Sequence, residues 1–83
     1  MSALARSPKQ LGLLIQRYRK AGGMSQSALA DLAGLRQEMV SKIESGQPGS
    51  RLSSIYALLA ALNLEMTVQP RTKSAPGDIA DIF

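Results

Sequence analysis

The sequence predicts an all-α protein, a small helical bundle followed by one short β-strand. Its 83 residues suffice for one compact domain and are too few for separate catalytic and regulatory domains. Apolar residues recur at helical spacing in four segments separated by glycine-containing breaks. Because the aromatic residues are only two tyrosines and one phenylalanine, the core must be aliphatic, which suits such a bundle. We expect residues 1–69 to form the domain and residues 70–83 a flexible tail.

The first predicted helix spans residues 8–21. Ser7 can cap its N-terminus, Pro8 suits the first helical position, and Gln10 can complete a capping box. Two consecutive glycines then end the helix. Its apolar stripe consists of Leu11, Leu14, Ile15 and Tyr18.

The next two predicted helices are short and lie close together in the chain. Ser25 can cap the second helix, and Gly34 stands where a helix-ending glycine is expected. The third lies within residues 34–46, where Val40 and Ile43 are spaced to face a core together. Two short helices joined by a glycine-containing turn predict a helix-turn-helix. The inward residues of the second helix are Leu29, Ala30 and Ala33.

The fourth predicted helix is the most apolar and forms the centre of the core. It begins at Ser50 or Arg51 and ends near Asn63. Its apolar face consists of Leu52, Ile55, Tyr56, Leu58, Leu59 and Leu62.

Residues 64–69 alternate apolar and polar side chains until Pro70, the pattern of a half-buried strand. No second strand is predicted in the chain, so this one either pairs with its copy in a second subunit or docks on the helices as an extended segment. We favour pairing across a homodimer. The residues on the apolar face of the strand are Leu64, Met66 and Val68.

The charge and the missing residue types restrict the function. The net charge is +4, and most of the basic residues fall within residues 1–51, which indicates a polyanionic partner or, more simply, a charge excess that aids solubility. Cysteine and histidine are absent, which removes thiol and imidazole nucleophiles and the commonest soft-metal ligands. We therefore expect a protein that is not an enzyme, with no cofactor, no metal site and no small-molecule substrate.

No apolar run approaches the roughly 20 residues that span a bilayer, and residues 1–20 lack the pattern of a signal peptide. We expect no membrane contact and a cytoplasmic, nucleoid-associated protein.

The outer face of the third helix carries side chains that can read bases. Arg36 can bond guanine in bidentate fashion, Gln37 can do the same to adenine, and Glu38 can accept from cytosine. A solvated surface helix is the alternative interpretation of these three residues.

The order of small and apolar residues from Met24 to Gly46 resembles the helix-turn-helix of the phage-repressor-like (Cro-type or Xre-type) regulators. The pattern is Met24-Ser25-Gln26, Leu29-Ala30, Ala33-Gly34-Leu35, Val40-Ser41, Ile43-Glu44 and Gly46. The match covers about residues 10–63, and it implies a DNA-binding protein whose third helix is the recognition helix. One departure is Met39, where the family often has Thr or Ser and a hydroxyl contact to phosphate.

The resemblance also implies roles for individual residues. Gln26 would contact phosphate and brace Gln37, and Arg19 would pair with Glu44. The base-reading positions would be Arg36, Gln37, Glu38, Ser41 and Lys42. The residues expected to contact phosphate are Ser25, Gln26, Ser50 and Arg51.

A strand directly after the last helix in so short a chain resembles the HipB-type antitoxins, whose strands pair across the dimer. Those proteins repress their own operon and bind HipA-type kinase toxins. In the tail, Asp78 and Asp81 accompany three large apolar residues that could insert into a toxin, the alternative being a frayed terminus. The apolar residues of this tail motif are Ile79, Ile82 and Phe83.

The function expected from these features is a homodimeric, sequence-specific transcriptional repressor that binds double-stranded operator DNA and is the antitoxin of a kinase toxin. Two alternatives stay open. One is a free-standing operon or phage-type repressor with no toxin partner. The other is a protein-interaction module that keeps the fold without binding DNA.

Overall fold

Four α-helices make up the architecture of residues 4–71, the part of the chain that this computed structural model describes. They are α1 (Pro8–Ala21), α2 (Gln26–Ala33), α3 (Gln37–Glu44) and α4 (Leu52–Ala61). The all-α class and the bounds of the first helix are as predicted.

Local capping residues set where α1 and α2 begin. The Ser7 hydroxyl accepts the backbone N–H of Gln10 at 3.1 Å, and the Ser25 hydroxyl accepts that of Ala28 at 3.0 Å. The Gln10 side chain does not complete the expected capping box, because its Oε1 accepts the backbone N–H of Arg6, one residue before the cap, at 2.6 Å. Of these two bonded N–H groups, that of Gln10 is one of the orphan donors of α1, and that of Arg6 belongs to the chain just before the helix.

Left-handed backbone follows each of the four helices, including α2 and α4. Gly34 follows α2 with φ 71°, a conformation that costs glycine little, and it turns the chain toward α3. Asn63 follows α4 with φ 60°, and the next backbone N–H returns to the Leu59 carbonyl at 2.7 Å. The expected stop at Asn63 is therefore a left-handed turn placed just after the helix.

An aliphatic core joins the four helices. Helix α3 packs against both α1 and α2, and α4 packs against α2. The buried apolar residues are Ile15, Leu29, Ala30, Val40, Ile43, Leu58 and Leu59. This core holds one face of α3 against the body of the protein and leaves its other face outward.

The contact between α1 and α3 depends on a glycine in the middle of α1. A Cβ added to Gly12 would lie 2.3 Å from the carbonyl oxygen of Ile43 and 2.7 Å from that of Glu44. No larger residue fits there without separating the helices. Gly12 therefore sets how closely the C-terminal end of α3 approaches α1.

The predicted strand does not form within the single chain. Residues 64–69 follow α4 without regular secondary structure, and no strand occurs in residues 4–71. Met66 is 40% exposed and Val68 is 97% exposed, so the predicted apolar face is largely uncovered. The physical reason is that a strand needs the backbone groups of a second strand, and one chain supplies only one. The expected tail motif, with Ile79, Ile82 and Phe83, lies outside the described residues.

Candidate nucleic-acid interface

Helix α3 presents a polar face to solvent because its apolar residues are committed to the core. Val40 and Ile43 are buried, and Met39 is half-buried against the core cluster. The turn through Gly34 leads into an extended Arg36, which caps α3 without a side-chain hydrogen bond. The five predicted base-reading residues, Arg36, Gln37, Glu38, Ser41 and Lys42, are all exposed.

Two of these exposed residues form a weak ion pair. Arg36 Nη1 lies 3.9 Å from Glu38 Oε1, and the two side chains are 86% and 68% exposed. Water screens a pair of this kind, and its contribution to folding is about 0–1 kcal/mol. Both side chains can therefore leave each other at little cost when another hydrogen-bonding partner approaches.

A buried ion pair lies behind the polar face. Arg19 Nε donates to Glu44 Oε2 at 2.6 Å, and Arg19 Nη2 donates to Glu44 Oε1 at 3.1 Å. The third guanidinium nitrogen donates to the carbonyl of Met24 at 2.8 Å. The side chains are only 9% and 2% exposed. This two-pronged contact connects α1 to the end of α3 and to the loop that precedes α2.

Hydrogen bonds extend from this ion pair to the exposed start of α3. Gln26 Nε2 donates to Glu44 Oε1 at 3.0 Å, and Gln37 Nε2 donates to Gln26 Oε1 at 2.8 Å. The structure thus brings together both pairs expected from the sequence, Arg19 with Glu44 and Gln26 with Gln37. It also joins them through the bond between Gln26 and Glu44, which the sequence reasoning missed. No local pattern signals that bond, because the two residues lie 18 positions apart.

The predicted phosphate contacts fall at the N-termini of two helices. Ser25 caps α2 and Gln26 is its first residue, while Ser50 and Arg51 precede α4. Backbone N–H groups at such ends are partly unpaired and favour anions. Ser25 and Arg51 are exposed, and Gln26 and Ser50 are half-buried.

Metal-binding clusters and membrane-spanning helices are both absent from the part of the chain that the structure describes. Within residues 4–71, no group of three or more carboxylate, cysteine or histidine side chains is placed to hold a metal ion. Nor is any helix in this range long and apolar enough to cross a membrane.

A short pair of helices joined through Gly34, the second with a buried apolar side and an exposed polar side, has the arrangement of a helix-turn-helix. A family model described as helix-turn-helix matches residues 15–69, and the chain belongs to this family.

Its relatives include Antitoxin HipB of Escherichia coli (strain K12), which is 30% identical over 70 residues that cover 84% of this chain and 80% of that protein. These matches confirm the resemblance to Xre-type regulators and, among them, to HipB-type antitoxins. Another relative is an uncharacterized HTH-type transcriptional regulator of Haemophilus influenzae, which is 39% identical over 54 residues that cover 64% of this chain and 55% of that protein.

Two solved structures show the same fold. A HipB-O4 20mer complex aligns with a TM-score of 0.80 at 28% identity, covering 86% of this chain and 100% of the other. A HipA-HipB-O2-O3 complex aligns with a TM-score of 0.79 at 28% identity, also covering 86% of this chain and 100% of the other.

Proposed function

We propose that this protein is a sequence-specific transcriptional repressor that binds operator DNA as a homodimer and is the antitoxin of a HipA-type kinase. The observation that carries the DNA-binding part is the exposed polar face of α3. A recognition helix needs a buried side that sets its tilt and an outer side that reaches base edges in the major groove. Helix α3 has both, with Arg36 and Gln37 at the end that would enter the groove.

The phosphate contacts would position α3 without reading sequence. Ser25 and Gln26 at the start of α2, and Ser50 and Arg51 at the start of α4, would hold the DNA backbone on either side of the recognition helix. Each basic residue that neutralises a phosphate releases counterions, so binding must weaken as salt rises. The net charge of +4 favours such a partner.

The homodimer is proposed from the uncovered segment after α4. This segment borders a groove along α1 whose lining includes Leu4, Leu14, Tyr18, Leu64, Met66 and Val68. If the segments of two subunits pair as antiparallel strands about a twofold axis, their backbone groups bond each other and their apolar side chains close the two grooves. One pairing would therefore satisfy both the backbone and the apolar surface.

The toxin partner is proposed from the relatives. HipB is described as an antitoxin and occurs with HipA in a HipA-HipB-O2-O3 complex. By extension, this chain would bind a kinase of the HipA type, with Ile79, Ile82 and Phe83 of its tail as the candidate contact. The transfer rests on 30% identity to that antitoxin.

Selection from a pool of random duplexes tests the DNA-binding part. The purified protein should enrich one sequence, and the affinity for that sequence should fall by roughly 10³–10⁵ between about 50 and 200 mM salt if six to ten phosphates are contacted. A protein that enriches nothing and shows no salt dependence would instead be the interaction module. Co-purification with a kinase encoded beside it would separate the antitoxin from a free-standing repressor.

A further inference from the structure

Glu44 ends α3 inside the protein, yet hydrogen bonds connect it to Gln37 at the start of the same helix. The two residues are seven positions apart, which is two helical turns and places them on one face, roughly 10 Å apart along the axis. Gln26, on the neighbouring helix α2, bridges this distance. Its NH₂ group donates to Glu44, and its oxygen accepts from Gln37. The buried ion pair therefore touches the base-reading surface through a single side chain.

The chemistry of Glu44 sets the direction of every bond in this chain. An ionised carboxylate can only accept, and Glu44 already accepts from two nitrogens of Arg19. The side chain of Gln26 must therefore turn its NH₂ group toward Glu44 and its oxygen toward Gln37. Since that oxygen can only accept, the NH₂ group of Gln37 must point back toward Gln26.

The direction of the Gln37 amide decides which base it can read. With one N–H directed at Gln26, Gln37 keeps its carbonyl oxygen and a second N–H for a base edge. That combination matches adenine, which offers the N6 amino group as donor and N7 as acceptor in the major groove. A reversed amide would present N–H groups outward, and these suit guanine, whose O6 and N7 both accept.

We infer that Glu44 is a positioning residue for sequence recognition: acting through Gln26, its carboxylate selects the amide orientation of Gln37 and so its preference for adenine over guanine. This inference rests on the proposed reading of DNA by α3. It assigns to a residue buried at the far end of the helix a part in specificity as well as in stability.

The first test replaces the carboxylate with a group that both donates and accepts. In Glu44→Gln the orientation of Gln26 is no longer determined, because the new amide can offer Gln26 either its oxygen or its NH₂ group. The measurement is the ratio of affinities for two operators that carry adenine or guanine at the position Gln37 reads. A good bidentate contact gives the wild type roughly a 5- to 150-fold preference for adenine, and the variant should lose about fivefold or more of it.

The second test keeps Glu44 and alters the half-buried side chain of Gln26, where a change disturbs folding less. Gln26→Lys can only donate, to Glu44 on one side and to the oxygen of Gln37 on the other, so the preference should move from adenine toward guanine. Gln26→Glu is the matched control of similar length. It can accept from Gln37, so the preference for adenine should persist, although its carboxylate lies beside that of Glu44 and the added charge lowers both the stability of the fold and the affinity for both operators.

The outcomes separate the inference from the proposed function. If the wild type selects no sequence at all, the proposed function fails and the inference fails with it. If the wild type prefers adenine but a folded Glu44→Gln, checked by circular dichroism, and Gln26→Lys both keep that preference unchanged, the protein reads DNA and the inference alone is overturned. If Glu44→Gln does not fold, the shift toward guanine expected of Gln26→Lys and the unchanged preference expected of Gln26→Glu decide.

Discussion

At the scale of single residues, burial decides what a charge does in this protein. Arg19 and Glu44 are buried and joined by two hydrogen bonds. The charged groups of Arg36 and Glu38 are exposed to solvent and lie 3.9 Å apart. Glu44 also ends α3, where the helix macrodipole disfavours an anion, so its donors offset that cost as well. The buried pair supports the fold, and the exposed pair is available to a ligand.

This contrast predicts different effects of two alanine substitutions in the same helix. Glu44→Ala leaves the buried Arg19 guanidinium without its carboxylate and should lower the free energy of unfolding by about 3–5 kcal/mol. Glu38→Ala, the control, should change it by about 1 kcal/mol or less. Urea unfolding measures both. Equal effects would show that Glu44 is accessible to water and is not in a buried ion pair.

A second residue-scale prediction concerns the exposed face of α3. Arg36→Ala should cost about 1–3 kcal/mol of binding on the selected operator and relax the preference at one base position, because a bidentate contact to guanine is lost. Lys42→Ala should weaken all duplexes more evenly if its ammonium meets phosphate. Competition against a randomised site distinguishes the two. Wild-type affinity and preference in both variants would mean that α3 is not the recognition helix.

At the scale of elements, the position of α3 depends on backbone contacts as much as on side chains. Gly12 lets α1 approach the carbonyl groups at the end of α3, and Val40 and Ile43 hold the helix from its buried side. The polar face of α3 is directed outward because these contacts leave it only one orientation. A small change at the contact between α1 and α3 should therefore alter the orientation of the polar face of α3.

Gly12→Ala tests this contact, and two effects of opposite sign compete. Helix propensity alone would favour alanine by about 1 kcal/mol. The new methyl group would lie 2.3 Å from a backbone oxygen, and overpacking of this kind costs about 1–3 kcal/mol, so we expect net destabilisation and weaker operator binding. Gly22→Ala is the control, since its φ is −84° and the nearest atom is the end of the flexible Met24 side chain at 3.4 Å. Thermal unfolding of both variants measures the difference.

At the scale of the whole molecule, the segment 64–69 after α4 has no strand partner within one chain, and its apolar side chains Met66 and Val68 are exposed. Val68 has almost no contact with its own chain, so its side chain adds little to the stability of a monomer. A dimer that pairs two such segments would carry two recognition helices, and binding at two half-sites raises affinity beyond that of one.

Val68→Pro should move the protein toward monomer in sedimentation experiments, because proline cannot donate the backbone hydrogen bond that pairing needs. Operator affinity should fall with it. Val68→Thr keeps the amide and the branched shape and is the control, with sedimentation close to wild type. A wild-type protein that is already monomeric at tens of micromolar would count directly against the paired strands.

Removal of residues 75–83 separates the two proposed partners. Dimerisation and operator affinity should stay within error of wild type, because α3 and the segment 64–69 lie upstream of the deletion. Capture of the kinase toxin should weaken if Ile79, Ile82 and Phe83 insert into it. Unchanged capture of the toxin in a pull-down would indicate that the toxin binds the helical domain rather than the tail.

Signals that act over a few residues were sufficient for the sequence to determine the helices and the class of protein. Ser7 and Ser25 cap their own helices, Gly34 permits a left-handed turn, and the apolar spacing of Val40 and Ile43 determines which side of α3 is buried. These features place the polar face of α3, and therefore the candidate DNA-reading residues, without reference to the rest of the chain.

Only the tertiary structure decided how that face is supported. The bond between Arg19 and Glu44 joins residues 25 positions apart and was expected only from the family resemblance, whereas the bond between Gln26 and Glu44, which links the two pairs, was not expected and depends on how α2 and α3 pack. Residues 64–69 also depend on a distant partner. Their alternating pattern specifies a strand only when a second strand is present. A hydrogen bond between distant residues forms only after packing brings both partners together, and no local pattern carries that distance.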